Sequence, residues 1–133
     1  MRPKPLVLIV DDEEDFLEIA SVKLRAHGFD TVAAQDPHEA LRKAESLMPD
    51  FVLSDIYMMP GPNGWDFIRE LHENPKTRNI KFAFFTSLRD PWLELKRDQA
   101  QILAELGGPP VFLSKLDDVD KLADRVAQML QPA

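Results

Sequence analysis

Phe51-Val52-Leu53-Ser54-Asp55 is the stretch whose reading decides the fold. It follows Pro49, is too short for a helix, shows no polar alternation, and ends on a carboxylate. A strand apolar on both faces is the kind found in parallel sheets covered by helices on either side. Leu6-Val7-Leu8-Ile9-Val10 has the same character and runs into Asp11-Asp12. The carboxyl ends of parallel strands share one edge, and ligands of open α/β sheets bind in the crevice outside it. If these two strands are neighbours, Asp11, Asp12 and Asp55 converge there.

The flanking segments read as alternating helices and strands. Asp12 or Glu13 opens a helix whose N-terminal dipole favours acids. Phe16, Leu17, Ala20, Lys23/Leu24 and His27 recur at helical spacing, and Gly28 follows as a left-handed cap. Phe29 to Ala34 reads as a second strand. Asp36-Pro37 is an N-cap followed by proline at the first helical position, opening a helix predicted to bury Ala40, Leu41, Ala44 and Leu47. After Asp55, two prolines and two glycines between Ile56 and Gly64 forbid regular structure. Phe67, Ile68 and Leu71 then face inward from a helix, and Ile80 to Phe85 is a fourth strand ending at Thr86-Ser87. Asp90-Pro91 opens a helix to about Leu106. Val111 to Leu113 is a short fifth strand ending at Ser114-Lys115. Asp117 or Asp118 caps a last helix carrying Val119, Leu122, Val126 and Met129/Leu130. Five strands alternating with five helices require right-handed crossovers and a parallel sheet.

A chain of 133 residues suits one domain, expected to span residues 1–133. A net charge of −7 argues against nonspecific binding to nucleic acid or an anionic membrane. The absence of cysteine excludes disulfides, thiolate metal sites and cysteine nucleophiles. No run approaches the length of a membrane span, and the opening apolar run is too short for a signal peptide and ends in acids. A cytoplasmic protein is expected.

Every strand but the second ends on a polar residue with chemistry to offer: Asp11/Asp12, Asp55, Thr86 and Lys115. Any one of them alone is more often a helix cap or a solvated side chain; four on one sheet edge point to a site. Two carboxylates ~4 Å apart repel by roughly 4 kcal/mol at an effective dielectric of 20, so three require a cation or a proton. His27, His38 and His72 fall on or beside helices, away from this edge. An all-oxygen donor set suits a hard ion, and Mg2+ bridges carboxylates to phosphate. Lys115 offers a compact positive charge for a phosphate or for Asp55, and Thr86 offers a hydroxyl. Carboxylate nucleophile, metal, lysine and hydroxyl together describe a site at which Asp55 accepts a phosphoryl group.

Val-Asp-Asp at 10–12, Ser-Asp at 54–55 followed by Met-Pro and Gly, Thr-Ser at 86–87 and Phe-x-x-Lys at 112–115 resemble the receiver domain of two-component response regulators, including the single-domain chemotaxis type. The resemblance implies a flavodoxin-like sheet in the order 2-1-3-4-5. It also implies phosphorylation of Asp55 by a sensor histidine kinase or a phosphotransfer protein. Mg2+ would lie on Asp12, Asp55 and the Tyr57 main-chain carbonyl, with Asp11 acting mostly through water. Thr86 and Lys115 would bind phosphoryl oxygens, and Phe112 would turn inward as Thr86 moves. The output surface would be the fourth helix, fifth strand and fifth helix. Such a domain is a signalling phosphoacceptor rather than an enzyme; it assists its own phosphoryl transfer, binds no nucleic acid or membrane by itself, and is a monomer or weak dimer.

Three departures stand against that pattern. Met58-Met59 lengthens the loop after Asp55 by one residue. Thr86 and Lys115 are 29 positions apart (115 − 86), about two helical turns beyond the usual interval, which predicts a lengthened or displaced fourth helix. Leu116 stands where a cis proline is usual, so a trans bond is expected. Tyr57 and Leu88 are bulky at positions bordering the path of an attacking water, which predicts slow loss of the phosphoryl group. The alternatives are a receiver-like interaction module that is never phosphorylated, a flavodoxin, and an aspartate-based phosphatase. The acidic Asp11-Asp12-Glu13-Glu14 loop would repel a flavin phosphate, and Tyr57 stands where a phosphatase would place its second acid.

Overall fold

The computed structural model describes residues 2–58, 64–87, 97–106, 111–115 and 118–131. The elements are β1 (Leu6–Val10), α1 (Glu14–Ala26), β2 (Asp30–Ala34), α2 (Pro37–Leu47), β3 (Phe51–Ser54), α3 (Gly64–Glu73), β4 (Lys81–Thr86), α4 (Arg97–Leu106), β5 (Phe112–Ser114) and α5 (Val119–Leu130). All strand pairs are parallel and the sheet order is β2-β1-β3-β4-β5, the expected flavodoxin-like doubly wound α/β topology.

β1, β3 and β4 are the interior strands, and each buries apolar side chains on both faces. Val7, Ile9, Phe51 and Leu53 enter one core with Leu17, Ala20 and Leu24 of α1 and Leu122, Ala123 and Val126 of α5. Leu8, Val10 and Val52 enter the other, with Ala40 and Ala44 of α2, Phe67, Ile68 and Leu71 of α3 and Ile102 of α4. Each helix returns antiparallel to the strands, so helix N-termini gather at the strands' carboxyl edge, here called the upper edge, and helix C-termini at the lower one.

Local signals operate as their chemistry dictates. The Asp36 carboxylate accepts the Glu39 N–H at 2.9 Å, with Pro37 in the first turn of α2. Asp118 accepts the Asp120 N–H at 3.0 Å and caps α5. Gly28 ends α1 at φ 91°, a conformation that costs a residue with a Cβ. One expectation fails: Leu47 is exposed, because the last turn of α2 overhangs the lower edge, with Phe51 beginning β3 four residues on. Strand ends shift by a residue, so Thr86 closes β4 and Ser114 closes β5. Met59, Leu88, the Asp90-Pro91 cap, the Leu116 peptide bond and Asp117 lie outside the described residues, as does most of the long Thr86–Lys115 interval; α4 itself is described over ten residues.

Candidate functional site

Register builds the site. Val10 pairs with Ser54, so Asp11 and Asp55 leave adjacent strands at the same level. The Asp55 N–H donates to Val10 O at 2.8 Å, and the Asp11 N–H to Ala34 O at 3.1 Å, extending the ladder by one residue at each strand. On the other side Thr86 pairs with Ser114, and the Lys115 N–H donates to Thr86 O at 2.8 Å. The upper edge therefore gathers Asp11, Asp55, Thr86 and Lys115 at one level, with the Lys115 side chain reaching both acids.

One carboxylate oxygen from each of Asp11, Asp12 and Asp55 lies within 4.8 Å of the others. Asp11 is fully buried, Asp55 retains 8 % of its surface, and Asp12 is the most open of the three. Lys115 Nζ sits 2.6 Å from Asp11 Oδ2 and 3.0 Å from Asp55 Oδ2, with only 3 % of its side chain exposed. The remaining carboxylate oxygens are turned onto the backbone: Asp11 Oδ1 accepts the Glu13 N–H at 2.9 Å, and Asp55 Oδ1 accepts the Ile56 N–H at 2.8 Å. Burial pushes the Asp55 carboxyl above its ordinary value, and the nearby Asp11 adds to this; the Lys115 charge opposes without cancelling it. Burial pulls the Lys115 ammonium down, but its close contacts with the Asp11 and Asp55 carboxylates outweigh it, so its value is raised.

Three carboxylates against one ammonium leave two formal negative charges in the crevice. Asp11 Oδ2 touches Lys115 as an ion pair but receives no well-directed hydrogen bond. The three carboxylates present only oxygen ligands. This arrangement fits a hard divalent cation.

The sequence matches a family pattern. The family model described as "Response regulator receiver domain" covers residues 7–104. This chain belongs to the response regulator receiver family. Response regulator PleD of Caulobacter vibrioides is 34 % identical over 113 residues, which is 85 % of this chain and 23 % of PleD, so the receiver spans about a quarter of that relative. The fold superposes on Vibrio cholerae chemotaxis protein CheY4 with a TM-score of 0.79 at 23 % identity, covering 95 % of this chain and 98 % of that one. The signal receiver domain of a signal transduction histidine kinase from Syntrophus aciditrophicus gives 0.76 at 28 % identity, covering 95 % and 89 %. Receivers are signalling domains of two-component systems; they meet histidine kinases or phosphotransfer proteins and generally take Mg2+ at an acidic pocket. No helix among the described residues is long and apolar enough to cross a membrane.

The other anticipated residues of this receiver are placed as follows. Thr86 is buried at the end of β4. Phe112 is half-buried, stacked on Phe84 at 5.6 Å and edge-on to Trp65 at 6.2 Å. The Tyr57 side chain is exposed. Three features escaped sequence reasoning. The closest contact of Lys115 is Asp11 rather than Asp55. Phe16 of α1, read as an ordinary core position, lies against the Lys115 ammonium. Gly64 backs onto the site: its N–H donates to Ile56 O at 2.6 Å, and a Cβ built there would overlap the Asp55 carbonyl oxygen. A glycine opening a helix, where helix propensity disfavours it, was the legible sign of that close approach.

Proposed function

We propose that Asp55 is the phosphoacceptor of a two-component relay, receiving its phosphoryl group from a phosphohistidine of a sensor kinase or phosphotransfer protein. The observation that carries this reading is a buried ammonium shared by Asp11 and Asp55 at the strand-end crevice. An Asp55 carboxylate oxygen attacks phosphorus; the P–O bond forms as the P–N bond breaks, and the departing imidazole nitrogen keeps the electron pair and is protonated. Burial leaves the attacking carboxylate poorly solvated and more basic than an exposed one, which favours nucleophilic attack. Lys115 and the Thr86 hydroxyl bind the phosphoryl oxygens, drawing the lysine away from Asp11. Asp11, Asp12, Asp55 and the Tyr57 main-chain carbonyl would hold Mg2+, which when bound offsets the negative charge the phosphoryl oxygens add. Movement of Thr86 toward the phosphoryl group alters the packing of Phe112 and thereby the surface of α4, β5 and α5. The bulk of Tyr57 beside the acceptor keeps phosphoryl loss slow.

Intact-mass measurement after incubation with acetyl phosphate and Mg2+ tests the reading. The wild-type chain gains one phosphoryl group and the Asp55→Asn variant gains none. No gain in the wild type, or an equal gain in the variant, removes it; decay within seconds without a phosphatase removes the slow-loss part alone.

A further inference from the structure

The Lys115 ammonium has aromatic neighbours besides its two carboxylates. Its Nζ lies 4.2 Å from the centroid of the Phe16 ring and 5.7 Å from that of Phe85. Those two rings meet edge to face at 6.4 Å, so Phe85 of β4 buttresses Phe16 of α1. Phe16 packs against the core beneath α1 and is itself partly covered. The ammonium is thus enclosed by acids on one side and an aromatic wall on the other.

We propose that Phe16 is a positioning residue for Lys115, its ring face holding the ammonium beside Asp55 when the acids are engaged elsewhere. A ring face attracts a cation through its quadrupole, most strongly where water is excluded, and Lys115 is almost wholly shielded. The two kinds of partner differ in what competes for them. Asp11 and Asp55 also belong to the acidic cluster that fits a hard cation, and any such ion bids for the oxygens Lys115 now contacts. The ring offers no oxygen and is not bid for. It therefore remains as the restraint on a long, four-carbon side chain that would otherwise lose its anchor as the acids are claimed. A leucine at position 16 would fill much of the same space and exclude water, but would carry no quadrupole.

The kinetic consequence rests on the phosphoacceptor reading above; the contact does not. Two measurements separate them. In a double-mutant cycle on the metal-free chain, Phe16→Leu lowers the folding constant on the order of tenfold more with Lys115 present than in a Lys115→Met background. With saturating Mg2+ and acetyl phosphate, Phe16→Leu slows phosphoryl uptake roughly tenfold, while Phe16→Tyr, which keeps the ring face, stays within about twofold of the wild type. An additive cycle, or a tyrosine variant as slow as the leucine one, overturns the role of Phe16. A wild-type chain that takes up no phosphoryl group overturns the phosphoacceptor reading and the kinetic half of this one, while the cycle still decides the contact.

Discussion

The upper and lower edges of the sheet handle charge in opposite ways. At the lower edge, where helix C-termini present unpaired carbonyls, basic side chains and a histidine donate to them. Arg2 donates to Leu47 O and to Met48 O at 2.8 Å at the end of α2, and the His27 Nδ1–H donates to Lys23 O at 2.8 Å in α1. Arg78 Nε donates to His72 O at 3.0 Å in α3, and Lys81 Nζ to Met129 O at 3.1 Å in α5. These groups are exposed and follow the helix dipole. At the upper edge the dipoles favour acids, but the chain places more acid there than one buried lysine can neutralise. The lower edge stabilises the fold; the upper edge stores unbalanced charge that a ligand can relieve.

The largest expected effect measures that contrast directly. Lys115→Met leaves Asp11 and Asp55 buried without their cation, and breaking a buried pair from one side costs about 3–5 kcal/mol. Arg2→Ala breaks an ion pair to Asp50 at 3.5 Å whose side chains are more than a third exposed, and such pairs are worth about 0–1 kcal/mol. Denaturant unfolding at neutral pH and without divalent ions is expected to separate the two variants by at least 2 kcal/mol. The lysine variant regains stability as pH falls and the orphaned carboxyls protonate, while the arginine variant does not. Equal losses would mean that the upper edge is as well compensated as the lower.

A smaller effect has the opposite sign. The Asp55 carboxyl is raised above its ordinary 3.8, with burial the largest cause. A folded-state value above the unfolded one contributes stability that is present below pH 3.8 and lost as pH rises through the folded value. At pH 7 the wild type carries that penalty in full, so Asp55→Asn is expected to stabilise the metal-free chain, read as a higher Tm. The gain shrinks as pH falls through the folded value and is gone well below pH 3.8, where the carboxyl is protonated in both states. Lys115 runs in the same direction at alkaline pH: its value is raised above 10.5, so its contribution is intact below 10.5 and lost as pH rises through the folded value. If the crevice takes Mg2+ as proposed, the ion at a hundred times its dissociation constant is expected to add about 2.7 kcal/mol to the wild type, and less to the asparagine variant. A destabilised asparagine variant would show that Asp55 is held by its partners rather than tolerated by them.

The two edges were unequally legible in the sequence. The fold followed from strands apolar on both faces and from caps such as Asp36-Pro37, because these signals act over a few residues. Asp11, Asp12, Asp55, Thr86 and Lys115 could be placed on one edge because parallel topology alone puts strand ends together. What topology does not fix is which partner a long side chain selects. Lys115 reaches past Asp55 to Asp11 and onto Phe16, a residue whose helical periodicity marks it only as core. Gly64 was visible as a loop residue, but its approach to the Asp55 carbonyl depends on how α3 meets β3. The cations of the lower edge were invisible for the same reason: Arg2 and Lys81 reach helix ends 45 and 48 residues away.

The last test lies wholly at the lower edge, where a gain should leave the upper edge untouched. Met48 ends α2 in the left-handed conformation at φ 48° and ψ 63°, with its N–H on Ala44 O at 2.9 Å, whereas α1 ends with Gly28 in the left-handed region. A residue with a Cβ is strained there by roughly 1 kcal/mol, and a glycine is not. Met48 is 42 % exposed, so removing its side chain gives up only part of a methionine's full burial. Met48→Gly is therefore expected to raise stability by about 0.5 kcal/mol after the entropy of the more flexible unfolded chain is counted. The Mg2+-dependent increment in Tm should be unchanged, since no contact of Met48 reaches the acidic crevice. Met48 also lines a cavity of about 360 Å³ with Ile80 and Leu130, and a fall in Tm would mean that packing against this cavity outweighs the strain at the helix end.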